Sequence, residues 1–148
     1  MPSSPPTDRL RRAAEAADTA PVAFLVNQLR GPLSPPDRPG PRHTLLAVCP
    51  TSEAVVRAAL AAAETARTPL LFAATLNQVD RDGGYTGWTP QAFADVVAAE
   101  RDRIGATMPA LLGLDHGGPW KKDAHASQDL DFETTMAEVR ASITACIE

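Results

Sequence analysis

Residues 44–75 decide the fold: the run TLLAVC (44–49), then PTSEAVVRAALAAAETAR (50–67), then TPLLFAAT (68–75). TLLAVC is a continuous apolar run of strand length, the pattern of a strand covered on both faces. After Pro50, Ser52 is placed as a helix N-cap, and Val56, Leu60 and Ala63 fall on one stripe with Arg57, Glu64 and Arg67 off it. PLLFAAT repeats the buried-strand pattern. One strand–helix–strand unit is therefore legible from local sequence.

The pattern continues toward the C-terminus. DRDGGYTGW (80–88) reads as a glycine-rich loop. Thr89-Pro90 are placed as N-cap and first residue of a helix, TPQAFADVVAAERDRIG, with Phe93, Val96, Val97, Glu100 and Ile104 on its inner and flanking faces. PALLGLD (109–115) is a third buried strand. LDFETTMAEVRASITACIE (130–148) is a third helix, with Phe132, Met136, Val139, Ile143 and Ile147 as its apolar series. Three successive strand–helix units imply parallel strands with right-handed crossovers, hence an α/β architecture. A complete (β/α)8 barrel needs about 200 residues or more. The expectation is a partial (β/α)8 TIM barrel of about three to four units, with a small open sheet as the alternative.

Toward the N-terminus the signals weaken. Residues 1–8 carry three prolines and read as a disordered tail, leaving 9–148 as the domain. TDRLRRAAEAAD suits a short helix capped by Thr7 or Asp8. PVAFLVNQ (21–28) reads as a short strand. GPLSPPDRPGP (31–41) holds five prolines, which cannot donate ladder hydrogen bonds, so residues 30–42 are expected to form a long surface loop.

Composition narrows the partners. At 148 residues and 44% hydrophobic content the chain is long and apolar enough to bury a core. Acidic residues outnumber basic ones, 18 to 14, and no basic patch is interleaved with aromatics, which argues against nucleic acid. No apolar run approaches the roughly 20 residues of a membrane helix, and MPSSPPTD lacks the order of a signal peptide. A cytoplasmic protein without membrane contact is expected. Cys49 and Cys146 lack CxxC spacing and fit reduced thiols, Cys49 reading as a buried one.

In open sheets and in barrels alike, sites form at the C-terminal ends of the strands. Here those ends read Cys49-Pro50-Thr51-Ser52, Thr75-Leu76-Asn77-Gln78 and Asp115-His116. That convergence of polar groups suggests a polar small-molecule ligand held by Asn77, Gln78, Asp115 and His116, with Ser52 at a helix start offering N–H groups to an anion. Asn77 and Gln78 equally suit capping of the following turn. Tyr85 and Trp88 either stack on a sugar or close the loop. His116 is a candidate ligand for a divalent metal such as zinc, but a site needs about three protein ligands. Asp123 and His125 lie nearby without established ligand spacing. Adjacent strand residues point to opposite faces, so Asp115 and His116 act together only where the strand has ended, and Gly117-Gly118 make an end there. Lys121-Lys122 read as a solvated turn.

AVCPTSEAVVRAAL, PLLFAATLNQVDRDGGYTGWTPQAF and GLDHGGPW resemble, in order and spacing, the N-terminal part of the non-catalytic subunit family of class II D-tagatose-1,6-bisphosphate aldolase. The likeness covers residues 44 to 122 and continues more weakly through the last helix. It implies a (β/α)8 barrel and a role in hexitol or amino-sugar catabolism. There a class II catalytic partner cleaves tagatose bisphosphate into two triose phosphates, and the accessory subunit stabilises and activates it. Some members of the wider family are regarded as metal-dependent sugar-phosphate 4-epimerases. In the related catalytic aldolases an Asp-His pair at a strand end supplies a proton-transfer acid and a zinc ligand, roles that would carry to Asp115 and His116. Three residues depart from the family pattern. Ala73 stands for a usual Glu, Gly117 for a usual Leu and Leu114 for a usual Gly, and the strands expected later in a barrel are not in the sequence.

Three expectations follow from these readings. The first is an accessory subunit acting by protein contact. The second is a metal-dependent ketose-phosphate aldolase or 4-epimerase, with Asp115 shuttling a proton and Ser52, Asn77, Gln78 and Tyr85 holding the sugar phosphate. The third is an inactive barrel fragment whose open sheet edges favour homo-oligomers.

Overall fold

A computed structural model describes residues 6–30 and 44–147. Its elements are α1 (Pro6–Ala16), α2 (Pro21–Arg30), β1 (Leu46–Val48), α3 (Glu53–Ala66), β2 (Leu70–Thr75), α4 (Pro90–Ile104), β3 (Ala110–Asp115), α5 (Asp123–Ser127) and α6 (Phe132–Ile147). The three strands form one parallel sheet in the order β1-β2-β3. Leu46 is in register with Leu70, Leu70 with Ala110 and Thr75 with Asp115. This is the expected parallel strand–helix repeat, with three strands rather than a closed barrel.

The two central crossover helices start and stop where the sequence says. Ser52 Oγ accepts from the Val55 N–H at 3.3 Å, and Thr89 Oγ1 accepts from the Ala92 N–H at 3.2 Å with Pro90 opening α4. Each cap satisfies one of the N–H groups that a helix start leaves without a partner. Gly105, at φ +64°, ends α4 in the left-handed conformation that favours glycine.

The core lies on one face of β2. Leu70, Phe72 and Ala74 alternate toward it and meet Val56, Leu60 and Ala63 of α3 and Phe93 and Val97 of α4. The Phe72 and Phe93 rings meet edge to face at 6.0 Å, and Trp88 stacks on Phe93 at 5.7 Å. Burying each such side chain stabilises the fold by roughly 1.5–3 kcal/mol. Glu100 clamps α3 to α4, accepting two hydrogen bonds from Arg57 at 2.9 Å and two from Arg103. The Glu64 carboxylate accepts from the backbone of Thr107 and Met108 and from the Thr107 hydroxyl, tying α3 to the start of β3.

Several expectations are corrected. Only β2 is covered well: Leu46 of β1 is 50% exposed and Leu112 of β3 41%, each outer strand having a neighbour on one side only among the described residues. Cys49 is exposed for the same reason, since it lies past the end of a three-residue edge strand. PVAFLVNQ is helical, not extended: Pro21 opens α2, Leu25 is buried, and α2 packs on α1. Pro6, Thr7 and Asp8 belong to α1 rather than to a tail. Thr7 Oγ1 anchors that helix, donating to the Thr107 carbonyl and accepting from Arg101, both at 3.0 Å. Residues 1–5 and 31–42, expected as tail and proline loop, lie outside the described residues. α6 turns Thr135, Val139 and Ser142 inward and leaves Phe132, Ile143 and Ile147 exposed. Of its apolar series, Val139 therefore sits at the centre of the contact, while Phe132, Ile143 and Ile147 lie at its rim.

Candidate functional site

The parallel sheet brings the three strand ends to one edge. At the first end the Ser52 hydroxyl is engaged in capping α3, and Glu53 puts an acid in the first turn. At the second, Gln78 is buried at 5% exposure and its Oε1 accepts from the Thr75 N–H at 2.9 Å, closing the turn that ends β2. Asn77 Oδ1 accepts from the Asp123 N–H at 2.8 Å, fastening the start of α5 to the end of β2. Both amides thus make the capping contacts that were one of their two readings.

The loop after β2 folds back on that turn. The Tyr85 N–H donates to the Asn77 carbonyl at 2.8 Å, and the Thr86 hydroxyl donates to the Gln78 carbonyl at 2.6 Å. Gly84 makes this approach feasible: a Cβ there would lie 2.5 Å from the Gln78 oxygen, and its φ of +52° is left-handed. The GGYTG segment is therefore shaped by backbone packing. Trp88 closes the loop by stacking on Phe93, while the Tyr85 ring projects at 64% exposure and is free to meet a ligand.

At the third end, Asp115 is the last residue of β3, paired with Thr75. His116 leaves the strand at φ +55°, its N–H bonded to Asp115 Oδ1 at 3.0 Å. That left-handed turn overrides the opposite-face rule of a strand. It returns the imidazole to the acid, with His116 Nε2 3.9 Å from Asp115 Oδ1 and both side chains open to solvent. Ala73 shares the strand face of Thr75, two residues before it and paired with Gly113, so a glutamate at this position, which the resemblance leads one to expect, would stand on the Asp115 face. The other two departures answer each other: a Cβ on Gly117 would lie 2.6 Å from Leu114 Cδ2. Leu114 occupies the space that a side chain at 117 would need.

Lys122 is not a solvated turn residue. Its ammonium bonds Asp80 Oδ2 at 2.7 Å and Asp82 Oδ2 at 2.6 Å, and its side chain is largely buried. Burial alone would lower its pKa, but the hydrogen bonds that it donates to Asp80 and Asp82 outweigh that and raise it. The same ammonium holds the Asp82 carboxyl below the usual range. Sequence reasoning missed this cluster and α5 alike. The acids of DRD and the lysines of WKK were visible, but nothing local pairs one loop with the other.

The metal reading fits these residues only in part. Asp115 and His116 offer two adjacent donors. Among the described residues no three His, Cys, Asp or Glu side chains come together in a way that holds an ion. His125 is buried with its Nδ1 unpartnered, and the Asp123 N–H is engaged by Asn77. The described residues do not by themselves complete a divalent-metal site.

A cavity of about 290 Å3 opens beside this edge, between β3, α4 and α6, lined by Ala74, Phe93, Leu112, Leu114, Cys146 and Ile147 among others. Its walls are mostly apolar.

Residues 35–148 match the model of a family described as D-tagatose-1,6-bisphosphate aldolase subunit GatZ/KbaZ-like. The chain belongs to this family. It is 38% identical over 104 residues to the D-tagatose-1,6-bisphosphate aldolase subunit GatZ of Escherichia coli O1:K1 / APEC, and equally to that of Shigella boydii serotype 18. Each match covers 68% of this chain and 25% of the relative, so the chain spans about a quarter of the length of the curated relatives it matches. A solved structure described as a probable tagatose 6 phosphate kinase from Sinorhizobium meliloti 1021 superposes with a TM-score of 0.59 at 38% identity. That match covers 70% of this chain and 26% of the other. The motifs that suggested the aldolase-subunit family thus belong to a chain of that family. Among the described residues no helix is long and apolar enough to cross a membrane.

Proposed function

We propose that the chain serves as the accessory, non-catalytic part of a D-tagatose-1,6-bisphosphate aldolase in the cytoplasmic breakdown of hexitols or amino sugars. It acts by contact with a class II catalytic subunit. One observation carries this reading beyond family membership. Leu112 and Ile147 line the cavity yet stay exposed, and Ile143 of the same helix as Ile147 adds exposed apolar surface, on the side where β3 has no further strand among the described residues. Exposed apolar surface of this kind marks a protein interaction site. The three strand–helix repeats are consistent with the first part of a (β/α)8 barrel. Co-expression with a class II tagatose-bisphosphate aldolase is expected to yield a complex whose activity or half-life exceeds that of the catalytic subunit alone. Separate elution together with unchanged activity and half-life would overturn the proposal.

A second reading is favoured by the Asp115–His116 geometry. In a metal-dependent ketose-phosphate aldolase or 4-epimerase, Asp115 would move a proton at the substrate carbon and His116 would hold the divalent ion. Ser52, Asn77 and the exposed Tyr85 would line the sugar-phosphate side, with the buried Gln78 shaping the turn behind them. The ion would polarise the substrate carbonyl, and its remaining donors would come from outside the described residues. Turnover of a ketose phosphate that falls at least about 100-fold in Asp115→Ala supports this reading. Turnover that survives the substitution, in protein that binds no metal, removes it.

A further inference from the structure

We infer that Lys122 is a positioning residue, whose ammonium clamps the loop of residues 116–121 onto the Asp80–Asp82 turn and so fixes where the strand-end acid and imidazole stand. The inference rests on the proposed site only in taking that loop to be its working part.

The loop leaves the sheet at Asp115 and re-enters regular structure at α5, immediately after Lys122. Its conformation is not one that the chain holds by itself. His116 and Trp120 both sit at left-handed φ, +55° and +56°, a region that non-glycine residues adopt only when their surroundings impose it. Its one internal backbone hydrogen bond, from the Lys121 N–H to the Gly118 carbonyl, is long at 3.3 Å. The constraint comes from the far end. Lys122 Nζ reaches two carboxylates of the preceding loop, and the Asp123 N–H reaches Asn77 Oδ1. Trp120 adds a weaker tie, its indole N–H on the Leu130 carbonyl at 3.2 Å and its ring 5.9 Å from Phe132.

The Lys122 contact is the strongest of these in kind. It is charge-assisted at both oxygens, and its ammonium and the Asp80 carboxylate are both shielded from water. Loop 80–82 is in turn closed by the Gly83 N–H on the Asp80 carbonyl and the Asp80 N–H on the Trp88 carbonyl, and the preceding Val79 N–H on the Thr75 carbonyl joins it to the sheet end. A rigid turn therefore holds the lysine, and the lysine holds the loop.

Hydrogen exchange of the chain alone tests this, so a failed aldolase complex leaves its outcome untouched. In Lys122→Met, amides of residues 116–121 are expected to exchange about tenfold faster or more, while amides of α3 and α4 keep their rates. Lys122→Arg should restore most of the protection, because it keeps the charge and reaches both acids. Asp82→Asn, which removes the exposed carboxylate only, gives a smaller acceleration in the same loop and remains readable if the methionine variant fails to fold. Unchanged exchange in residues 116–121 overturns the inference. So does acceleration shared equally by α3 and α4, and so does an arginine variant no better protected than the methionine one.

Discussion

The two outer sides of β2 carry similar sequence and meet different fates. Toward α3 and α4, Val56, Leu60, Phe72, Phe93 and Val97 close into a dry core. Toward β3 and α6, residues of the same apolar type, Leu112, Ile143 and Ile147, stay open to solvent around a cavity. An apolar run records what a strand or helix is suited to bury, while burial itself requires a second surface. The core side has that surface within the chain. The β3 side lacks it among the described residues.

The sharpest way to break this contrast is to delete equivalent side chains on the two sides. Phe72→Ala should cost about 3–5 kcal/mol, since its ring is wholly enclosed, whereas Leu112→Ala should cost no more than about 1 kcal/mol. Urea unfolding of the two variants measures the difference, and equal costs would show that the β3 side is packed after all. Next in size is Gly84→Ala, expected to cost above about 2 kcal/mol by combining left-handed strain with overlap of the Gln78 carbonyl. Thermal unfolding checks it, and a neutral result would mean that the loop after β2 is pliable. Glu100→Gln should lose about 1.5 kcal/mol in the same assay, because the clamp between α3 and α4 loses its charge while Arg57 and Arg103 remain half in water.

A pH effect comes after these. The Glu64 carboxyl is held below its ordinary value of 4.5, chiefly by the Met108 and Thr107 backbone N–H groups. Its contribution is complete above that ordinary value and is lost as pH falls through the lowered one. Glu64→Gln should therefore flatten part of the acid limb of stability measured against pH. Smallest is Ile147→Lys, where a side chain 80% exposed should change stability by less than about 0.5 kcal/mol. The same substitution should weaken co-purification with the aldolase, which makes it the variant that separates binding from folding.

The sequence was most readable where a local rule and a tertiary partner agreed. The Ser52 and Thr89 caps, the Val56, Leu60 and Ala63 stripe and the alternation through β2 all follow from short-range chemistry. PVAFLVNQ, seen alone, suits either period, and docking on α1 is what makes it the helix α2. Asp115 and His116 were identified as a pair, but their approach depends on a left-handed residue that no spacing rule foretells. The roles of Asn77 and Gln78 were left open because an amide that accepts from a distant N–H looks the same in sequence as one that faces a ligand. Lys122 was misassigned for a related reason: its acids lie in another loop, and charge complementarity across two loops has no periodicity to detect.

The order β1-β2-β3 repeats the order of the chain. Each strand, as it leaves a ribosome, therefore finds its neighbour already made and separated from it by a single helix. The loop-closure entropy of each pairing is modest for a parallel sheet. Assembly can proceed in step with synthesis, and the β3 edge is the growing end at every stage. Of the two outer edges of the sheet among the described residues, the one on β3 is thus the later to form.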